Sequence, residues 1–362
     1  DPKFNNASTS TPVTLSKTSV STSIPNSSFE DLKIDPESSI SKHAIMNNLG
    51  KMCYLNSVVQ QLYNCTEFKN MVLNYNNTKS IKDQNVRELF ETYQQVIKDQ
   101  GDPINNDAIS TYQFLLKSES NHIIPSLNEQ QDAFEFLIKF IDKIADITED
   151  FKTIFKISTH CYIKSYSDPM KVISSDDGDD KTSLVLSLGF DYKVFNNMAL
   201  SIANFLNKTL DEYTYTEETT KNEITEKATI KEVIESLPQI LIFQISRIKS
   251  NGIFQTKVFN AYQISKTFDM YPFLSENLQK SFTDKRAEYE LIGIILHIGP
   301  DPKDGHYVSW CKDNKANNRW IEYNDSLMSE IPEYELNAAI NPIKNFNAND
   351  KVPYILFYRK KK

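Results

Sequence analysis

Gly305-His306-Tyr307-Val308-Ser309-Trp310-Cys311 and, after a polar interval, Arg319-Trp320-Ile321-Glu322-Tyr323-Asn324-Asp325 are the two runs on which the fold turns. Each has strand length and is rich in β-branched and aromatic residues, so the pair predicts an antiparallel hairpin. Setting Trp310 opposite Trp320 puts Asn324 across from His306, an amide beside an imidazole whose tautomer and orientation it would set. Asp325, one residue on, belongs to the other face of a regular strand, and a bulge at the strand end would exchange the two roles. Short runs of the same texture at 183–188, 240–245, 291–298 and 354–358 extend the strand pattern through the second half of the chain.

Toward the N-terminus the period changes. Leu55, Val58, Val59 and Leu62 recur at helical spacing, as do Val86, Leu89, Phe90, Tyr93 and Val96. A further helix is predicted after Asn128, with Asn128 as N-cap and Gln131 completing a capping box ahead of Phe134, Leu137, Ile138 and Ile141. Helices to about residue 150 and strands after it mean an α+β fold, not an alternating parallel one. The acidic stretches 174–181 and 211–227 read as solvated loops or hairpin tips. Residues 1 to about 41, rich in Ser, Thr, Asn and Pro, read as a disordered leader.

The 362 residues carry 40 Lys+Arg against 48 Asp+Glu. That balance argues against nucleic acid as partner, and no run reaches the roughly 18–20 apolar residues of a membrane span. Four cysteines, no CxxC pair and no signal peptide point to a reducing setting, cytoplasmic or nuclear, with no disulfide scaffold, no metal and no cofactor. A chain that opens at Asp1 without an initiator Met is expected to be a fragment of a longer protein.

Glycine is scarce, at 8 residues, yet Gly50 precedes Cys53 and Gly293, Gly299 and Gly305 precede His306. The segment Asn47-Asn48-Leu49-Gly50-Lys51-Met52-Cys53-Tyr54-Leu55-Asn56-Ser57 reads as a turn feeding a helix whose first turn holds Cys53. A thiol there meets unpaired N–H groups and the positive end of the helix dipole, which lower its pKa. The alternative is a small buried hydrophobe. Cys53, His306 and Asn324, in that order, match a papain-type set of thiolate, imidazole acid/base and orienting amide. Cys65, Cys161 and Cys311, and His43, His122, His160 and His297, lack such partners by spacing and are read as structural; His297 adjoins the histidine region. Asp132 and Glu135, three apart at a helix start, would share a face suited to arginine, or would simply complement the helix dipole.

These segments resemble the ubiquitin-specific proteases. The cysteine box is matched by Asn48-Leu49-Gly50, Cys53-Tyr54-Leu55-Asn56-Ser57 and Gln60-Gln61-Leu62. Gln130-Gln131-Asp132-Ala133 with Glu135-Phe136-Leu137 matches the middle box, and Tyr289-Glu290-Leu291, Gly305-His306-Tyr307, Trp320, Tyr323-Asn324-Asp325-Ser326 and Tyr354-Ile355-Leu356-Phe357-Tyr358 match the histidine box. The runs 57–63 and 268–272 look most like the large fat-facets-type members. The resemblance implies a papain-like cysteine peptidase over 42–362, with a helical thumb over about 42–150, antiparallel β fingers over about 151–235 and a β palm over about 236–360. It implies a deubiquitinating thiol isopeptidase acting on ubiquitinated proteins or polyubiquitin through a thioester acyl-enzyme. Cys53, His306 and Asn324 would be catalytic, Asn48 the oxyanion donor and Asp325 an alternative or auxiliary third residue. Asp132 and Glu135 would bind the arginines of ubiquitin's tail, and Gly305 and Tyr307 would line the channel for its glycines. Lys51-Met52 and Arg247-Ile248 depart from the family pattern, and the four finger cysteines of many members are absent.

Overall fold

The computed structural model describes residues 46–48, 50–100, 108–175, 181–189, 196–217, 219–250, 255–301, 304–313 and 319–361. The predicted leader over 1–41, and His43, lie outside these residues. Helices come first: α1 (Cys53–Asn64), α2 (Thr66–Asn74), α3 (Gln84–Gln100), α4 (Ala108–Ser120), α5 (Ala133–Ala145) and the short α6 (Asp150–Thr153). The stripe Val86, Leu89, Phe90, Tyr93 and Val96 of α3 is buried, as its period requires. Rings dominate this core. Tyr93, Phe114 and Phe140 meet at centroid distances of 4.6–5.3 Å, mostly edge to face or tilted, the geometry their quadrupoles favour.

The start of α5 differs from expectation. Asp132, not Asn128, is the N-cap, its Oδ1 accepting from the N–H of Phe134 at 2.8 Å and of Glu135 at 3.1 Å. A carboxylate at the helix end satisfies two free N–H groups and also complements the helix dipole, which the neutral Asn128 amide would not. With that start the core face becomes Phe136, Leu137, Phe140, Ile141 and Ile144, while Phe134 and Ile138 are only partly buried.

The strands follow as β1 (Ile157–Ser165), β2 (Val172–Ser175), β3 (Lys181–Ser183), β4 (Leu186–Leu188), then α7 (Met198–Leu206), β5 (Asn207–Thr216) and β6 (Glu223–Ser236). A first sheet has the order β2-β1-β6-β5, with β3 also on β1. Most of 211–227, expected as loop or hairpin tip, is the far end of the β5–β6 pair, its cross-strand contacts polar, such as Thr214 Oγ1 to Thr225 Oγ1 at 2.7 Å. One face is exposed and the other only half-buried, carrying Tyr213, Tyr215 and Ile224 among charged and hydroxyl neighbours, so the alternation is weak against the acidic composition.

The rest of the chain supplies β7 (Ile240–Ile245), β8 (Ile248–Ser250), β9 (Gln255–Lys257), β10 (Thr267–Asp269), α8 (Glu276–Gln279), β11 (Glu288–Asp301), β12 (Asp304–Lys312), β13 (Trp320–Asn324), β14 (Leu327–Ile331), α9 (Glu333–Ile340) and β15 (Val352–Lys360). The second sheet runs β14-β13-β12-β11-β15-β7-β4, antiparallel except for β4 beside β7. β4, inside the span expected for the fingers, thus belongs to this sheet. The sheet is covered on both faces. Ile240, Ile242, Ile355 and Phe357 join the helical core, while Leu241, Phe243, Leu356 and Tyr358 join a second core with Trp310 and α9. Two-sided burial explains why these strands read as nearly continuous apolar runs.

α1 lies between the helices and this sheet, all twelve residues buried. Its polar side chains therefore need partners inside the protein. Gln61 Nε2 donates to Ser309 Oγ at 2.7 Å, Trp310 O at 2.9 Å and Ile294 O at 3.2 Å, and Asn64 Nδ2 donates to Ile292 O at 2.8 Å. The amide fits because residue 293 is glycine: a Cβ there would lie 1.7 Å from Gln61 Oε1. Gly293→Ala should lower stability by about 2–3 kcal/mol, the overpacking and lost-hydrogen-bond range. Gly189→Ala, where an added Cβ meets only Asn204 Nδ2 at 3.8 Å, serves as the reference. Urea midpoints check this; equal midpoints for the two variants would remove the close approach as a constraint.

Candidate active site

Cys53 opens α1, preceded by a turn in which Gly50 (φ 118°) and Lys51 (φ 51°) have left-handed backbone. Cys53 is 2% exposed. The N–H groups of Tyr307, Tyr54 and Cys53 itself are directed at the sulfur and favour thiolate, as expected of a helix N-terminus. Burial outweighs them, and with the nearby Asp325 charge it pushes the Cys53 thiol up to about 11. The expectation of a lowered pKa is corrected: desolvation of the anion costs more than these N–H groups return.

β12 and β13 form the predicted hairpin, but Trp310 pairs with Glu322 and Lys312 with Trp320, two residues away from the Trp-to-Trp register. Trp310 Nε1 donates to Glu322 Oε2 at 2.7 Å, so a buried indole N–H finds an acceptor that a second Trp could not offer. A slip of two keeps every side chain on its face. Asn324 accordingly meets His306 diagonally, Oδ1 lying 2.7 Å from Nε2. The amide oxygen accepts, so Nε2 carries the proton and Nδ1 keeps its lone pair. No hydrogen bond joins Cys53 to His306 among the described residues.

Asp325 is neither sent to the opposite face nor bulged. Its backbone is left-handed (φ 51°), a conformation Asp tolerates better than most residues. The turn brings the carboxylate back toward α1. Oδ1 accepts from Asn56 Nδ2 at 2.8 Å, Oδ2 accepts from Asn48 Nδ2 at 3.0 Å, and Oδ2 lies 3.8 Å from His306 Nε2. Asn48 is held at its other end, Oδ1 accepting from the N–H of Gly50 at 3.0 Å and of Met52 at 3.1 Å. Asn56 was not singled out from the sequence. Its signal was the three-residue spacing from Cys53, which places both on one side of the helix.

Gly305 (φ 151°) lies against Ile298 O and His297, and Tyr307 is buried, its hydroxyl donating to Asp132 Oδ2 at 3.4 Å. Tyr354 Oη donates to the same oxygen at 2.8 Å. Burial raises the Asp132 carboxyl above its ordinary range, opposed by Tyr354 and by the capped N–H groups. Glu135 is exposed and paired with Lys139 at 2.6 Å. Asp132 and Glu135 therefore do not stand as a free pair on one face. They do line one open groove with Glu129, Asp304, Lys51 and Tyr354, an acidic surface beside the Cys53 end of α1.

The other thiols stand apart. Cys311 sits between Ser309 Oγ and Gln60 O, and burial pushes it up to about 12; Cys65 caps α1, fully buried and likewise raised. His160 packs its ring on Tyr162 at 4.6 Å.

A family model described as "Ubiquitin carboxyl-terminal hydrolase" matches residues 46–358. Among curated proteins, "Ubiquitin carboxyl-terminal hydrolase 12" of Salmo salar is 21% identical over 86% of this chain and 88% of its own length. "Ubiquitin carboxyl-terminal hydrolase 25" of Arabidopsis thaliana is 24% identical over 78% of this chain and 44% of its own length. Among solved structures, a SAGA DUB module bound to ubiquitin aldehyde superposes with a TM-score of 0.73 at 19% identity, covering 90% of this chain and 71% of that one. The module bound to monoubiquitin gives 0.72 at 20% identity, covering 90% and 70%. These structures carry the same α+β fold.

With the thiol held up to about 11, alkylation of Cys53 by iodoacetamide in the free protein should be slow at neutral pH and climb steadily as pH rises from 8 toward 11. Mass-spectrometric rates at Cys53 test this; a plateau already reached below pH 7 would mean a preformed thiolate–imidazolium pair.

Proposed function

The chain belongs to the ubiquitin carboxyl-terminal hydrolase family, and on that premise we propose how its residues share the work of a cysteine-type deubiquitinating hydrolase. Cys53 Sγ attacks the carbonyl carbon of ubiquitin's C-terminal glycine as His306 Nδ1, the nitrogen left free by the Asn324 bond, takes the thiol proton. The tetrahedral intermediate collapses as the C–N bond breaks, and the imidazolium returns its proton to the departing lysine amine. Water, activated by the same imidazole, then attacks the thioester, releasing the carboxyl group and the thiol. The observation that carries this reading is the 2.7 Å contact between His306 Nε2 and Asn324 Oδ1, because it selects the tautomer a general base needs.

Asn48 has two amide hydrogens. One is given to Asp325, leaving the other for the intermediate's oxygen, a contact worth about 2.7–4 kcal/mol. Asp325 serves in this reading as an auxiliary group that holds Asn48, with Asn324 as the orienting residue. The acidic groove receives the arginine-bearing tail of ubiquitin. An arginine there shares Asp132 with Tyr354 and displaces Lys139 from Glu135, an exposed pair worth only about 0.2–1 kcal/mol. The partners proposed are ubiquitin and ubiquitinated proteins, met in cytoplasm or nucleus.

A ubiquitin probe with a C-terminal thiol-reactive electrophile should form a covalent adduct with the wild-type chain and none with Cys53→Ala, which should still bind ubiquitin. An adduct with another ubiquitin-like modifier alone would move the substrate class, and an adduct surviving in Cys53→Ala would sink the mechanism. Asp132→Asn keeps the helix cap and removes the charge. It should raise KM for a fluorogenic ubiquitin amide about tenfold or more with kcat little changed; an unchanged KM rejects the tail assignment.

A further inference from the structure

Lys257 ends β9, half-buried, with Nζ 2.8 Å from His297 Nδ1, 3.0 Å from His297 O and 2.8 Å from Gly299 O. An ammonium has three hydrogens and no acceptor, and here it meets three acceptors, all at the end of β11 that leads toward His306. Because Lys257 can only donate, Nδ1 of His297 must accept, and the proton of the neutral ring lies on Nε2. Burial, followed by the Lys257 and His306 charges and opposed by Asp301, brings His297 down to about 3, so the ring stays neutral. Nε2 is buried and without a partner among the described residues. It lies under Gly305, where an added Cβ would be 2.6 Å from Nε2 and 2.3 Å from Ile298 O. The ring is also 4.6 Å from that of Tyr307. His297 thus wedges between Lys257 and the two residues that flank His306.

We propose that Lys257 and His297 are positioning residues for His306, the ammonium pinning the end of β11 and the His297 ring setting the height at which Gly305 delivers the chain to the imidazole. The proposal rests on the reading of His306 as acid/base. The same tie reaches the groove: Lys257 is the cross-strand partner of Ile248, and Ile248 lines the acidic groove with Asp132 and Tyr354. Contact along the groove at Ile248 therefore bears on the strand that holds the His306 hairpin in place.

The device is sensitive to pH. Burial, with the charge of Arg247, lowers Lys257 to about 8. The groups facing the pair are Arg247 after β7, Asp301 on β11, His306 and Tyr307 on β12, and Tyr354 on β15. Above that pH the neutral amine has two hydrogens for the two carbonyls and a lone pair for the ring. Nδ1 must then become the donor, and the His297 proton moves from Nε2 to Nδ1.

The test uses Lys257→Met, Lys257→Arg and His297→Phe in the full chain. Each is measured for kcat and KM on a fluorogenic ubiquitin amide and for thermal unfolding, with nitrogen NMR of the His297 ring in the free wild-type and Lys257→Met proteins. Lys257→Met should lose about tenfold or more in kcat with KM little changed, as expected of a misplaced catalytic group, and Lys257→Arg should restore part of it. His297→Phe keeps the ring's bulk and the two carbonyl acceptors but removes Nδ1, and should lose only part of what Lys257→Met loses. Wild-type His297 should show a protonated Nε2 near pH 7 that shifts toward Nδ1 by about pH 9, a titration absent in Lys257→Met. A loss confined to KM, a wild-type kcat in Lys257→Met, a loss that only tracks lowered thermal stability, or a protonated Nδ1 near pH 7 would each overturn the proposal. The NMR result stands whether or not the chain turns over ubiquitin, so failure of the mechanism and failure of this inference are told apart.

Discussion

Gln61 reaches from the helix that carries Cys53 into β11 and β12, and the space it occupies exists because residue 293 has no Cβ. A helix buried on every side has no solvent to satisfy its polar groups, so its position is dictated by where partners for those groups lie. Gln61 and Asn64 find theirs on Ser309 and on the backbone of Ile292, Ile294 and Trp310. Because β12 also carries His306, the bond that seats the helix sets the distance between thiol and imidazole.

The opposite end of that helix is held electrostatically. Asp325 gathers Asn56 and Asn48, tying the turn before Cys53 to the end of β13. The same carboxylate, together with burial, opposes thiolate formation. Order and thiolate formation therefore pull in different directions: burial first, and then the carboxylate that holds Asn48, disfavour the Cys53 thiolate in the free protein. His306 and Asn324 are already joined, while Cys53 and His306 are not.

Much of this was legible in advance wherever periodicity and chemistry agreed. α3 and β7 fall where their apolar spacing puts them, since a packed face repeats every 3.6 or 2 residues regardless of what covers it. The face shared by His306 and Asn324 follows from parity alone, which a two-residue change of register leaves intact. Local sequence is ambiguous where two signals compete. Asn128 and Asp132 both suit a helix start, and the Trp310–Trp320 pairing expected from aromatic matching leaves the indole N–H without the acceptor that Glu322 provides. The far end of the β5–β6 pair reads as polar chain because only Tyr213, Tyr215 and Ile224 mark its half-buried face, among many charged and hydroxyl residues.

The sequence by itself determined the candidate groups, their order, and that His306 and Asn324 share a face, because these depend on residue identity and backbone period. It also determined the helices-then-strands division that makes the fold α+β. Only the tertiary structure decided the Trp310–Glu322 register, the left-handed turn that returns Asp325 to Asn48 and Asn56, the commitment of Asp132 to a helix cap and two phenols, and the place of His297 beneath Gly305. It decided the protonation of Cys53 as well. Each of these is a sum over desolvation and contacts between residues as many as 277 apart, and no local window of sequence contains that sum.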